Sequence, residues 1–263
     1  MTASLLSIEG VCKRFGGVAA VNDTGFAVME GSITALIGPN GAGKTTMFNL
    51  VSGFLRPDRG AISFAGRSIE RQRADLVARA GLVRTFQSPR VLTRMSVLDN
   101  VMLAAKNQPG ERLWMSWLAP RTVARRELEV RARAREVLAL VRLGHMADAY
   151  AGTLSGGQRK LLDLGRALMV EPRMILLDEP MAGVAPPLVR ELVEHIETLR
   201  TRLGVTVCVI EHDMDVVMTI SDRVIVMDEG RVIAEGTPDE IQQNERVIEA
   251  YLGRFARPAE VAQ

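Results

Sequence analysis

The sequence predicts an α/β fold, a mostly parallel sheet flanked by helices, with a separate helical subdomain inserted into it. Three observations carry this reading. Short β-branched runs alternate with helical apolar periods in the C-terminal third. A glycine-rich turn joins one such run to a helix. From Val97 to Val170 nothing resembles a strand.

Taken in order, Ser4 to Val11, Thr24 to Met29 and Ile33 to Ile37 read as strands, separated by turn-forming Gly16-Gly17 and Gly31. Thr45 to Val51 reads as a helix. In the middle, Val123 to Leu143 carries a helical apolar period at Val130, Ala134, Val137, Leu138 and Val141. Arg125, Arg126, Arg131, Arg133 and Arg135 interleave there with Glu127, Glu129 and Glu136, the pattern of a solvated face laced by local ion pairs. Strands resume at Met174 to Leu177, Val205 to Ile210, Val224 to Met227 and Val232 to Ala234, and helical patterns at Pro187 to Leu203 and Asp213 to Ile220 alternate with them. The tail after Gly253 reads as a mobile end.

The composition bounds the function. Of 263 residues, 47% are hydrophobic and 24% charged, enough to bury a core and exclude wholesale disorder. Basic residues number 33 against 31 acidic ones, so no global field attracts nucleic acid and any anion site must be local. Cys12 and Cys208 are far apart and read as buried free thiols, without a disulfide framework or thiolate metal site. The first residues lack a basic segment followed by an apolar one, and no run approaches the roughly 18 apolar residues of a spanning helix, so a cytoplasmic location is expected.

The strongest local signal is Gly38-Pro39-Asn40-Gly41-Ala42-Gly43-Lys44-Thr45, an unbroken G-x-x-x-x-G-K-[ST] between a strand and a helix. Glycines let successive N–H groups turn inward toward phosphate oxygens, and the helix N-terminus adds partial positive charge. Lys44 would reach β- and γ-phosphates, Thr45 would ligate Mg²⁺, and Thr46 offers a hydroxyl to the α-phosphate. Such a loop needs a carboxylate for the metal on a neighbouring strand. Met174-Ile175-Leu176-Leu177-Asp178 supplies it, and Glu179 follows at the strand's carboxyl end, placed to accept the proton of an attacking water.

Leu154-Ser155-Gly156-Gly157-Gln158 lies 23 residues before Asp178. With this pentapeptide the sequence resembles the ATP-binding-cassette (ABC) ATPases over nearly its whole length. The resemblance implies a P-loop NTPase core built on a mixed sheet with an N-terminal antiparallel β part (residues 4–96 and 171–253), a helical signature subdomain (97–170) and a flexible tail (254–263). It also implies that Ser155, Gly156, Gly157 and Gln158 contact the γ-phosphate held by a second subunit. A Ser N-cap followed by two glycines suits that role, as a second amide cradle. Phe15 lies where the family stacks a ring on adenine, in place of the commoner Tyr. Gln87 matches the glutamine that links Mg²⁺ and water to the helical subdomain. His212 matches the switch histidine that bonds the γ-phosphate and orients Glu179. His145 and His195 lack such context and read as surface residues. The sequence departs from the family at Ala185, where an Asp or Asn usually couples the two ATP sites across subunits.

The resemblance further implies a head-to-tail pair of cassettes with two ATP molecules between them, attached to transmembrane permease subunits on the inner face of the membrane. Arg84-Thr85-Phe86-Gln87, Met95 to Val101, Val209 to Met214, Glu235 to Pro238, Val247 to Gly253 and the insert from Lys106 to Glu136 are similar to the larger ATPase subunit of branched-chain amino-acid importers. These act with an external substrate-binding protein. Urea or amide importers and lipopolysaccharide exporters have similar cassettes, and soluble ABC ATPases of translation or repair form a more distant alternative. Trp114 and Trp117, with Leu113, Met115 and Leu118, would either dock on a membrane subunit or pack within the helical subdomain.

Overall fold

The computed structural model describes residues 4–85, 91–106 and 119–252. They separate into two compact units: residues up to 84, 173–182 and from 196 onward form the first, and 85–172 with 183–195 form the second.

The first unit holds two sheets. β1 (Ser4–Phe15), β2 (Val18–Met29), β4 (Arg59–Phe64) and β5 (Arg67–Ser68) make an antiparallel sheet in the order β2-β1-β4-β5. β3 (Ile33–Ile37), β6 (Leu82–Arg84), β7 (Met174–Asp178), β8 (Thr206–Ile210), β9 (Arg223–Asp228) and β10 (Arg231–Gly236) make a six-stranded sheet, ordered β10-β9-β3-β8-β7-β6. All its pairings are parallel except the antiparallel edge pair β9 and β10. The mixed architecture is thus the one expected. β3, β7 and β8 are buried at every residue, as a strand covered on both faces must be. Met47, Phe48, Leu50 and Val51 of the helix Lys44–Val51 join Leu6, Ile8 and Ile62 of one sheet and Leu36, Leu176, Cys208 and Ile225 of the other in one core. That core seats the glycine-rich loop at the helix's N-terminus.

The second unit is helical, with Val97–Met102, Pro120–Leu140 and Gly156–Leu168 as its principal helices and one isolated bridge, Ser96 to Tyr150. Val130, Ala134, Val137 and Leu138 form the buried stripe. On the opposite face Arg125 and Arg126 pair with Glu129, Arg131 with Glu127 and Arg133 with Glu136, the solvated ladder expected. Among the described residues, no helix is long and apolar enough to cross a membrane.

Two expectations change. His145 is exposed, but His195 is only 5% exposed, because in the helix Pro186–Leu203 it falls on the stripe of Leu192, Ile196 and Leu199. Burial and the Arg142 guanidinium lower its pKa. Of the two thiols, only Cys208 is buried, which pushes its pKa up to about 12; Cys12 is half-buried on β1. The Trp114 and Trp117 segment and the tail after Gly253 lie outside the described residues.

Candidate active site

Sheet register brings the predicted residues to one place. Leu36 of β3 pairs with Ile210 of β8, and Ile210 pairs with Asp178 of β7. Three neighbouring parallel strands therefore end together, and each releases one functional loop: Gly38 to Lys44, Asp178-Glu179 and Glu211-His212. The Glu179 N–H donates to the Ile210 carbonyl at 2.9 Å, which fixes two of these loops to each other.

The glycine-rich loop is closely fitted. Gly38 has φ +145° and Gly43 φ +99°, and a Cβ on either would run into a backbone carbonyl oxygen, that of Met227 or of Ala20. Gly43 begins the helix without any side-chain cap, as anion-binding helix starts do. Lys44 is buried and folds over its own loop, with Nζ donating to the carbonyls of Gly38 at 2.6 Å and Pro39 at 3.0 Å. Ala42 is buried, Pro39 and Thr46 are half-buried, and Asn40, Gly41 and Thr45 are exposed. Burial raises the phenol pKa of Tyr251, in the helix Glu245–Leu252, opposed by the backbone of Gly38.

Asp178 and Glu179 are adjacent but differently held. Asp178 is buried and its Oδ2 accepts from Arg84 Nη2 at 2.6 Å, while Arg84 Nη1 donates to Asn49 Oδ1 at 2.6 Å. The same guanidinium lies 5.8 Å from the centroid of the Phe48 ring. Glu179 adopts a left-handed backbone, φ +48°, uncommon for a residue with a Cβ. Its Oε1 lies 2.7 Å from His212 Nε2. With the carboxylate ionised, this bond needs the ring proton on Nε2. Glu211 is buried beneath the pair. Its Oε1 accepts from the Met181 N–H at 2.7 Å and its Oε2 from the His212 N–H at 3.2 Å. Burial raises its pKa, opposed by those two amides.

Phe15 sits beside the Gly16-Gly17 turn with nearly half its surface exposed, so it is no core residue. Lys13 Nζ lies 5.8 Å from its ring centroid and is anchored by Asp58 at 2.7 Å.

The signature residues belong to the second unit. Ser155 caps the helix Gly156–Leu168 in a reciprocal box: Ser155 Oγ accepts from the Gln158 N–H at 3.2 Å and Gln158 Oε1 from the Ser155 N–H at 2.9 Å. Gln158 thereby orients Ser155. Gly156 faces open space, whereas a Cβ on Gly157 would collide with the Leu188 side chain. Gln87 lies outside the described residues. Ala185 is exposed, and its carbonyl accepts the first bonds of the following helix, from Leu188 and Val189.

Two residues were missed by sequence reasoning. Arg84 and Glu211 both stand in quoted stretches, yet only the fold reveals their partners, 94 and 30 residues away. The available signal was a charged side chain at the end of an otherwise apolar strand, which demands a partner when buried.

Comparison with known proteins agrees with this geometry. A family model described as ABC transporter matches residues 21–182, and one described as branched-chain amino acid ATP-binding cassette transporter matches residues 231–256. The chain is 40% identical over 253 residues to a probable branched-chain amino acid transport ATP-binding protein, LivG, of Archaeoglobus fulgidus, covering 95% of each. It is also 40% identical to the high-affinity LivG protein of Escherichia coli, covering 96% of this chain and 99% of that one. Among solved structures, a nucleotide-free ATP-binding cassette from an ABC transporter superposes with a TM-score of 0.81 at 37% identity, over 95% of this chain and 99% of the other. The ADP conformation of an ABC transporter cassette gives 0.81 at 35% identity, over 96% of this chain and 100% of the other. With its phosphate loop, strand-end carboxylates and signature helix, the chain belongs to the ABC transporter family, as an ATP-binding and ATP-hydrolysing cassette.

Proposed function

We propose that this chain powers the import of branched-chain amino acids, acting as one of two cassettes that close on ATP and open after hydrolysis. The observation that carries the catalytic part is the 2.7 Å contact between Glu179 and His212 at the strand ends that also release the phosphate loop. Glu179 accepts a proton from the water that attacks the γ-phosphorus, and His212 holds that carboxylate and meets the γ-phosphate. On nucleotide binding Lys44 exchanges its loop carbonyls for phosphate oxygens. Phe15 offers its exposed face to adenine.

The oxygen donors Thr45 and Asp178 suit Mg²⁺, a hard cation, and Gln87 completes the proposed set. Bound there, Mg²⁺ would neutralise charge developing on the phosphates. Asp178 enters this role already held on one oxygen by Arg84, which leaves the other free to face the metal or its water.

Gly156 and Gly157 present helix amides, and Ser155 its hydroxyl, to the γ-phosphate of a partner cassette, with Gln158 bracing the turn. A motor of this kind needs transmembrane permeases to convert closure into transport and a substrate-binding protein to deliver the amino acid. That places it on the cytoplasmic face of a membrane. The C-terminal match at residues 231–256 and the names of the relatives support branched-chain amino acids over urea, amides or lipopolysaccharide.

The test is ATPase activity after purification with the membrane subunits and reconstitution in liposomes. Leucine-loaded binding protein should stimulate hydrolysis several-fold. Stimulation by urea, or by ribosomes or DNA, would replace this reading.

A further inference from the structure

Glu211 does work that none of the assigned roles requires. It is 3% exposed, yet both its oxygens are spoken for by backbone N–H groups of different loops: Met181, two residues beyond Glu179, and His212. We infer that Glu211 is a positioning residue for hydrolysis, a carboxylate that fastens the loop leaving β7 to the loop leaving β8 and so holds Glu179 against His212. This rests on the roles proposed for Glu179 and His212.

The chemistry favours a carboxylate over any other side chain. Two converging N–H donors need two acceptor oxygens on one rigid plane, and only Asp or Glu presents them. Asp is a methylene too short for the span that Glu211 makes. An amide fails differently, because its NH₂ must point at one of the two donors. Glu179 needs such support, since its left-handed backbone is not one it would adopt unaided. A hydrogen bond from the Glu179 N–H to Ile210 secures one end of the turn, and the bond from Met181 to Glu211 secures the other. The loops are thereby joined on both sides of the catalytic contact. In a site where distance and angle decide the rate, loosening the clamp should slow the chemical step while leaving ATP binding, which the loop after β3 provides, unaltered.

The experiment is steady-state kinetics of Glu211→Gln, His212→Ala and the double variant in the full chain, with Glu179→Gln as a control and thermal melting of each. Glu211→Gln should lower kcat about tenfold with KM for ATP within about twofold, the signature of a lost transition-state contact. Added to His212→Ala, it should cost less than about twofold more, because the two act through one contact. Melting of Glu211→Gln should fall by no more than a few degrees, the cost of one buried N–H left without an acceptor. Unchanged kcat, or a loss that multiplies fully with that of His212→Ala, would overturn the positioning role. So would a kcat loss matched by a large fall in melting temperature. If Glu179→Gln itself turns over normally, the assignment of the base fails instead, and the two failures are told apart.

Discussion

The chain carries two glycine-bearing helix starts, and they are built in opposite ways. At Gly38 to Lys44, Gly38 and Gly43 are required by the protein's own backbone, with positive φ and carbonyls that a Cβ would strike, and Lys44 closes onto the loop's carbonyls. At Ser155 to Gln158 the helix is already capped by its own serine and glutamine, and Gly156 faces open space. One cradle is shaped from within to enclose a ligand, and the other is finished within and presents its end outward. In the proposed function this difference makes a single chain half a machine: its own nucleotide would be gripped by the first cradle and a partner cassette's by the second.

The comparison can be broken at several points. The largest expected effect is Lys44→Ala, which removes the charged donor of the enclosed cradle. It should weaken nucleotide binding about 100-fold or more in a titration with a fluorescent ATP analogue. Within the outward cradle the two glycines should separate. Gly157→Ala forces the Leu188 side chain aside and should cost about 1–3 kcal/mol in urea unfolding, whereas Gly156→Ala should stay within about 0.5 kcal/mol. Equal costs would mean that Leu188 yields freely.

A smaller effect is expected at Ala185, whose carbonyl accepts the first bonds of the helix Pro186–Leu203. Ala185→Asp should add less than about 0.5 kcal/mol, through its charge at the helix start alone, because Pro186 and Pro187 have no N–H and those of Leu188 and Val189 already bond the Ala185 carbonyl. An effect on ATPase cooperativity in the same variant would show that the missing side chain also spoke to the partner cassette.

The smallest concerns His195. Its folded pKa is depressed by burial and Arg142 against the pull of Glu191 and Glu194, so the unfolded chain binds more protons and stability rises with pH. The contribution is complete above the unfolded value near 6.5 and is lost as pH falls toward the folded one. Melting temperatures at pH 7.5 and 5.5 should differ less in His195→Leu than in the parent. An identical difference would place the titrating group elsewhere.

Much of this was legible in the sequence, for identifiable reasons. β3, β7 and β8 are short and apolar because both faces are covered, and β3 and β8 are also rich in β-branched residues, so their runs stand out. β1 and β2 extend further than their apolar runs because register shifts between Ile8, Val11 and Lys13 interrupt the alternation. β4 begins with Arg59-Gly60 and β6 is three residues long, so neither presents a pattern. The site divides similarly. Lys44, Asp178 and Glu179 are marked by local spacing. Arg84 and Glu211 are marked only by what lies opposite them, and His195 was misplaced because one histidine hardly alters the apolar period of its helix.

The central claim, that two cassettes close on ATP and hydrolysis releases them, meets its most direct test in the molar mass of Glu179→Gln by light scattering. With the base removed, binding should survive and the closed pair should accumulate. The account predicts a shift from monomer to dimer with ATP and none with ADP, abolished when Ser155→Arg is added. A Glu179→Gln protein that hydrolyses ATP at the parent rate, or that stays monomeric at saturating ATP, would contradict it.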